Sequence, residues 1–148
     1  MAQLGQHVLI VDESKARRRV IDVVMQHIGR KVTLAVNGDE AIAVLRPSLH
    51  PLIVLVDAGM RYPADGDKGS LLLTLLANQE FAATHAFVVT SASPGDDLSA
   101  LQASAQTVAA NADVSWLRLP TSAAEIAAAV VAAGRRLNAT ASGQPPTP

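Results

Sequence analysis

Three carboxylates stand at the ends of two short apolar segments. Residues 8–11 (Val-Leu-Ile-Val) run into Asp12 and Glu13, and residues 52–56 (Leu-Ile-Val-Leu-Val) run into Asp57. Short segments rich in Val and Ile are typical of buried strands in a parallel sheet, whose ligand sites lie beyond the carboxyl ends of the strands. If the two strands are neighbours, the three carboxylates converge, and a hard divalent cation would offset their repulsion. A carboxylate beside such a cation can accept a phosphoryl group.

Composition excludes several other kinds of chemistry. The chain has 148 residues, of which 49% are hydrophobic and 17% charged, enough for one domain with a substantial core. It contains no cysteine, which excludes disulfides, thiol catalysis and cysteine-ligated metals. A net charge of −1 argues against direct nucleic-acid binding driven by bulk charge. No apolar stretch is long enough to predict membrane insertion, and we expect a cytoplasmic protein.

Strand-like segments alternate with helical patterns along the chain. We predict strands over residues 7–11, 32–36, 52–57, 86–91 and 114–119. Helices are predicted to follow them over about 14–28, 39–46, 70–78, 93–110 and 121–137. Five strands and five helices in alternation predict an α/β protein with a flavodoxin-like, doubly wound parallel sheet of order 2-1-3-4-5 and helices on both faces. In that order strands one and three are adjacent.

Two segments depart from the alternation. Residues 58–69 hold three Gly, one Pro and four charged residues, which indicates a long polar loop at a strand's carboxyl end, where functional residues are common. Residues 138–148 are rich in Pro and lack a helical pattern, which predicts a disordered tail. We therefore predict one domain over residues 1–137 and a tail over 138–148.

Five short segments together resemble the receiver domains of two-component response regulators. They read LIVDE, NGDEA, VLVDAGM, VVTSA and WLRLP, and they occupy residues 9–13, 37–41, 54–60, 88–92 and 116–120. Each is weak alone, but they stand in the family's order at near-family spacing, and the resemblance runs from residue 8 to about residue 137.

The resemblance implies a role for each matching residue. Asp57 matches the phosphoacceptor aspartate. Asp12 and Glu13 match the acidic pair that holds Mg²⁺, and the backbone carbonyl of Gly59 matches a further ligand. An Asp after an apolar strand is also a common helix cap or turn residue, and this reading would be preferred for Asp57 alone. Mg²⁺ would neutralise charge while the aspartate attacks an activated phosphoryl donor.

Two further positions match the family, and one departs from it. Ser91 matches the hydroxyl that contacts the phosphoryl group, and Trp116 matches the aromatic residue whose rotamer follows that hydroxyl. The family has a lysine before the proline after strand five, but this chain has Leu119, which cannot donate a hydrogen bond to phosphoryl oxygens. Three cations are candidates to replace that lysine: Arg61, Lys68 and Arg118. Three consecutive arginines, residues 17–19, are interpreted as a solvated helix face.

Two other departures concern the metal and the loop. Glu13 stands where the family usually has Asp, and its extra methylene displaces the carboxylate from the position that Mg²⁺ requires. The Met-Pro pair that usually follows the phosphoacceptor is broken, and residues are inserted in the loop.

The sequence supports three hypotheses of function. The first is a stand-alone receiver, not an enzyme, that accepts a phosphoryl group on Asp57 with Mg²⁺ from a histidine kinase or phosphotransfer protein. It would signal to an unidentified output partner by protein contact, with a homodimer as a further candidate. The second is a pseudo-receiver, an interaction module in which Leu119 impairs phosphorylation. The third, a flavodoxin-like cofactor protein, is disfavoured because two carboxylates after the first strand repel a flavin or nucleotide phosphate.

Overall fold

Five parallel strands form one sheet in the computed structural model, which describes residues 7–48, 50–92 and 98–141. In chain order the strands are β1 (His7–Val11), β2 (Lys31–Ala35), β3 (Ile53–Asp57), β4 (Ala86–Ser91) and β5 (Asp113–Arg118). Their order in the sheet is β2-β1-β3-β4-β5, and every neighbouring pair is parallel. The predicted fold class and strand order are therefore confirmed.

The described part of the chain contains six helices, of which five lie between strands and the last follows β5. They are α1 (Lys15–His27), α2 (Gly38–Leu45), α3 (Ser70–Ala77), α4 (Gln79–Thr84), α5 (Ser99–Val108) and α6 (Ala123–Ala141). The sequence predicts five, and α4 is the addition. It forms because Asn78 adopts an extended backbone after α3, and its side chain accepts a hydrogen bond from the N–H of Phe81, which caps a new helix.

The last helix is longer than predicted. α6 continues to Ala141, beyond the predicted helix end at residue 137. Alanine, the strongest helix former, supplies much of this helix and extends it beyond the last apolar residue of the periodic pattern. The remainder of the predicted tail, residues 142–148, lies outside the described residues, as does the predicted start of the fourth helix at residues 93–97.

Two apolar layers cover the two faces of the sheet. Alternate strand residues, among them Leu9, Val54 and Phe87, pack against α2, α3, α4 and α5. The intervening residues, among them Ile10 and Leu55, pack against α1 and α6. β1 and β3 are central strands with both faces covered, which is why both are continuously apolar in sequence. Within residues 7–48, 50–92 and 98–141, no helix is both long enough and apolar enough to cross a membrane.

Candidate functional site

The register of β1 and β3 brings Asp12 and Asp57 to the same rim of the sheet. Val11 of β1 is paired with Val56 of β3. Asp12 directly follows Val11 in the chain, and Asp57 directly follows Val56. Asp12 is 1% exposed and Asp57 is 7% exposed, so both carboxylates are withdrawn from solvent. Burial of two neighbouring carboxylates requires a compensating cation or proton.

Arg17 supplies that cation. Its Nε donates to Oδ2 of Asp12 at 2.9 Å, and its Nη2 donates to Oδ1 of the same carboxylate at 3.0 Å. The same Nη2 lies 3.7 Å from Oδ2 of Asp57. The hydrogen bonds with Asp12 raise the pKa of Arg17 above its ordinary value. One guanidinium thus joins the two carboxylates that the strands bring together.

The chain turns into α1 directly after Asp12, which explains how Arg17 reaches the carboxylates. Oδ1 of Asp12 accepts the N–H of Ser14 at 2.8 Å, and Ser14 caps α1 by accepting the N–H of Arg17 at 3.3 Å. Long side chains on a helix lean towards its N-terminus, and Arg17 lies in the first turn, so it leans back over Asp12.

The interpretation of residues 17–19 as a solvated face is wrong for two of the three arginines. Arg17 pairs with the buried carboxylates, and Nη1 of Arg18 donates to the backbone carbonyl of Asp12 at 2.6 Å. Only Arg19 is exposed. The signal available in the sequence was the position of Arg17 three residues after a capping serine, within reach of the carboxylate that precedes the cap.

Glu13 lies at the exposed edge of the site. The side chain of Asp12 turns inward to the Ser14 N–H and the chain bends at Glu13, which leaves Glu13 exposed. Burial raises the pKa of Asp57 and the Asp12 hydrogen bonds raise the pKa of Arg17, and the charge of Glu13 adds to both shifts. Among the described residues, no group of three or more His, Cys, Asp or Glu side chains is arranged to hold a metal. The structure thus brings together a buried pair of carboxylates with a shared arginine, and the metal role of Glu13 stays a prediction.

This arrangement does not fit a divalent cation. Oδ1 of Asp12 accepts two N–H groups and Oδ2 accepts a third, which occupies three of the roughly four lone-pair positions of this carboxylate. Mg²⁺ demands near-ideal octahedral geometry at short distances and tolerates displaced ligands poorly. A metal bound between Asp12 and Asp57 would have to displace the guanidinium of Arg17.

Asp57 has an unfavourable environment for its charge. Burial raises its pKa above the ordinary value, and the charge of Asp12 raises it further. Arg17 and a hydrogen bond from the backbone of Gly59 oppose this shift without cancelling it. The sequence assigned Gly59 a carbonyl role towards a metal, whereas here its backbone N–H serves the carboxylate of Asp57.

Of the three cations considered as substitutes for the lysine, Lys68 borders the carboxylate of Asp57. A Cβ atom at Gly59 would be 3.4 Å from Oδ2 of Asp57 and 3.5 Å from Cε of Lys68, so both groups border the same point. Arg61 instead donates to the carbonyl of Gly66 at 2.7 Å and closes its own loop. Arg118 is exposed at the end of β5.

Ser91 and Leu119 meet at the same rim of the sheet. Ser91 ends β4, is 5% exposed, and its carbonyl accepts the N–H of Leu119 at 2.7 Å. The side chain of Leu119 packs against the apolar layer under α1 and α6. It also lines a groove of about 310 Å³ that reaches Arg17 and Val20. The position of the family lysine therefore carries an apolar side chain in apolar surroundings.

Trp116 lies farther down the sheet. It is paired with Val89, two residues before Ser91 on β4, and it packs against the layer that contains α5. Strand side chains alternate in direction, so Trp116 and Ser91 project to the same face of the sheet. They are separated by two residues along the strand direction.

The inserted loop is held against α2 and α3 by Tyr62. The backbone N–H of Tyr62 donates to Oγ of Ser70 at 2.8 Å, and the Tyr62 hydroxyl donates to Oδ1 of Asp39 at 3.1 Å. The Tyr62 ring lies so close to Gly38 that a Cβ atom there would be 2.3 Å from Cδ2 of the ring. The loop therefore has a defined conformation held by contacts with α2 and α3.

Comparison with known structures defines the class of the fold. The chemotaxis protein CheY4 of Vibrio cholerae is 18% identical, covers 89% of this chain with 99% of its own, and superimposes with a TM-score of 0.68. A signal receiver domain from Vibrio parahaemolyticus is 14% identical over 93% of this chain and 95% of its own, with a TM-score of 0.71. The beryllofluoride-activated NtrC4 receiver domain dimer is 17% identical over 89% of this chain and 98% of its own, with a TM-score of 0.68.

These similarities are of structure rather than sequence. No family model matches the sequence, and no curated protein matches it significantly. The chain has the fold of the receiver domains of response regulators, which confirms the resemblance inferred from five short segments.

Proposed function

We propose that this chain is a receiver-like interaction module of signal transduction, in which phosphorylation of Asp57 is impaired and signalling proceeds by protein–protein contact. The observation that carries the proposal is Leu119. Phosphoryl transfer depends on positioned cations that stabilise charge on the transferring group. Leu119 supplies none, because its side chain belongs to an apolar layer and its N–H is bonded to the carbonyl of Ser91.

The state of Asp57 supports the same conclusion. Burial and the charge of Asp12 raise the pKa of Asp57, so the folded protein disfavours the ionised form that would act as the nucleophile. The two strands that lead into this site are well packed, since β1 is buried except at His7 and β3 is buried throughout. An intact fold around a weakened acceptor is what an interaction module requires.

The receiver fold suggests the partners of such a module. A histidine kinase, a phosphotransfer protein or an output protein is the expected class of partner. A second copy of the chain is a further candidate, since the receiver domain of NtrC4 is a dimer. The module would occupy its partner's surface without receiving a phosphoryl group, and its place in the cell would be the cytoplasm.

Lys68 favours a second candidate function, phosphoryl acceptance on Asp57. Cε of Lys68 and Oδ2 of Asp57 border the same point beside Gly59, so the ammonium group could stabilise a phosphoryl oxygen from the loop instead of from β5. Under this alternative Mg²⁺ would still be needed, and it would have to enter past Arg17.

Incubation with acetyl phosphate and Mg²⁺, followed by intact-mass measurement, separates the two functions. We expect no added phosphoryl mass on the natural chain, with Asp57→Asn as the control for the site. Stoichiometric modification that disappears in Asp57→Asn would overturn the proposal. Loss of that modification in Lys68→Gln, but not in a matched Lys15→Gln variant, would then establish the second candidate.

A further inference from the structure

The guanidinium of Arg17 occupies the space between the two buried carboxylates of the site. It donates two hydrogen bonds to Asp12, at 2.9 and 3.0 Å, and forms an ion pair with Asp57 at 3.7 Å. The sequence predicts a divalent metal ion at this point, whereas the structure has a guanidinium there.

We propose that Arg17 is a resident cation that takes the place of a divalent metal ion and excludes it from Asp12 and Asp57. The charge of the pocket is then set by the fold and does not depend on the concentration of free metal. This inference rests on the proposed function and deepens it. A pocket that already holds the charge of Arg17 does not change its charge when metal ions are added or removed.

The hydrogen bonds of Asp12 make the exclusion specific. Its two oxygens accept three N–H groups, one from Ser14 and two from Arg17. The planar fork of arginine matches a carboxylate in two parallel hydrogen bonds and carries its charge at every accessible pH. Asp12 is 1% exposed, so water cannot easily replace these donors. A metal ion that bound Asp12 on the side facing Asp57 would have to displace the guanidinium that makes these two bonds.

Covalent attachment gives Arg17 an advantage over a free ion. The residue lies one turn into α1, whose start is fixed by the Ser14 cap and by the Asp12 contact with the Ser14 N–H. A tethered group competes as an intramolecular ligand, whereas Mg²⁺ must be recruited from solution and partly dehydrated. Arg18 reinforces the turn by donating to the Asp12 carbonyl at 2.6 Å.

Titration of Mg²⁺ into the full chain, followed by amide NMR shifts of Ala58 and Gly59, tests the inference. We expect no saturable shift in the natural chain up to roughly 20 mM Mg²⁺. Arg17→Gln should bind Mg²⁺ at least about tenfold more tightly, because two hydrogen bonds between charged groups no longer oppose the metal. The matched control is Arg19→Gln, which removes the same charge from an exposed position of the same helix and should behave as the natural chain.

Arg17→Lys provides a second test if the glutamine variant does not fold. Lysine keeps the charge but loses the two-pronged geometry, so Mg²⁺ binding should become measurable in Arg17→Lys while the natural chain shows none, and equal behaviour of these two proteins would overturn the inference. Saturable binding to the natural chain with an affinity equal to that of Arg17→Gln would overturn the inference. So would an equal gain in Arg19→Gln, since bulk charge would then be the cause.

The outcome is distinguishable from a failure of the proposed function. A natural chain that binds no Mg²⁺ but is phosphorylated on Asp57 would overturn the proposed function and leave the resident cation standing. A natural chain that binds Mg²⁺ as tightly as Arg17→Gln but is not phosphorylated would overturn the resident cation and leave the proposed function standing.

Discussion

Arg17 forms an ion pair with Asp57 but no hydrogen bond, since its Nη2 lies 3.7 Å from Oδ2 of Asp57. The same guanidinium donates two hydrogen bonds to Asp12, at 2.9 and 3.0 Å. The two buried carboxylates are therefore unequal: Asp12 accepts two hydrogen bonds from the guanidinium, whereas Asp57 accepts none from it and has a raised pKa. This asymmetry leads to opposite expectations for the two aspartates.

Asp12→Asn should lower the free energy of unfolding by about 1–3 kcal/mol, because the two hydrogen bonds from Arg17 lose their charged acceptor. Solvent screening limits the loss, since the Arg17 side chain is 34% exposed. Asp57→Asn should leave stability unchanged or raise it by up to about 1 kcal/mol, because the folded protein holds that carboxylate at a raised pKa. Urea unfolding at neutral pH, without added metal, measures both. Equal losses in the two variants would contradict the asymmetry.

Leu119→Lys should not restore phosphorylation by itself. The lysine would supply a cation for the phosphoryl oxygens, but Arg17 would still hold the carboxylates against a metal. Arg17→Gln combined with Leu119→Lys should gain phosphoryl mass with acetyl phosphate and Mg²⁺, and the gain should exceed the sum of the single variants. Adding Asp57→Asn to the double variant is the control that must abolish it. A single variant as reactive as the double would show that only one of the two departures matters.

Gly38 and Tyr62 should be strongly coupled in stability. Gly38→Ala places a Cβ atom 2.3 Å from Cδ2 of the Tyr62 ring, whose backbone is anchored by the Ser70 hydroxyl. We expect a loss of about 1–3 kcal/mol in the natural background, from overpacking. In a Tyr62→Ala background the same substitution should cost nothing, or gain up to about 1 kcal/mol from helix propensity. A thermodynamic cycle measured by denaturant unfolding checks the coupling, and additive effects would mean that the ring moves aside freely.

His85 should make the protein less stable below neutral pH. It is 3% exposed, its Nδ1 accepts the N–H of Leu52 at 2.9 Å, and burial lowers its pKa from 6.5 to about 4. The unfolded chain therefore binds a proton more readily than the folded protein. The stability contributed by neutral His85 is fully present above pH 6.5, declines as the pH falls to about 4, and totals at most about 3 kcal/mol.

The measurement is unfolding free energy against pH for the natural chain and for His85→Gln. Glutamine can accept the Leu52 N–H but does not titrate, so the variant should lack this part of the pH dependence. Identical slopes between pH 6.5 and about 4 in the two proteins would refute the role of His85.

Hydrophobic periodicity determined the sheet and most of the helices of this protein. β1 and β3 are covered on both faces, and short apolar segments rich in Val and Ile, such as residues 8–11, are typical of such strands, so both were assigned without tertiary information. The strand order followed from the alternation of strands and helices, and that order placed Asp12 beside Asp57. α4 was not predicted, because it starts where the backbone of Asn78 becomes extended and interrupts the helix. Apolar periodicity does not report such a local turn.

The occupant of the site was decided by the tertiary structure. Residue types alone indicated a metal between carboxylates, because charge repulsion requires a cation but does not say which one. The choice of Arg17 depends on the direction in which α1 leaves the sheet and on the length of a flexible side chain, and both are set in three dimensions. Glu13 shows the same limit, since one bend after Asp12 leaves its neighbouring carboxylate exposed. A sequence specifies which charges must be compensated, whereas the packed fold decides which group is close enough to compensate them.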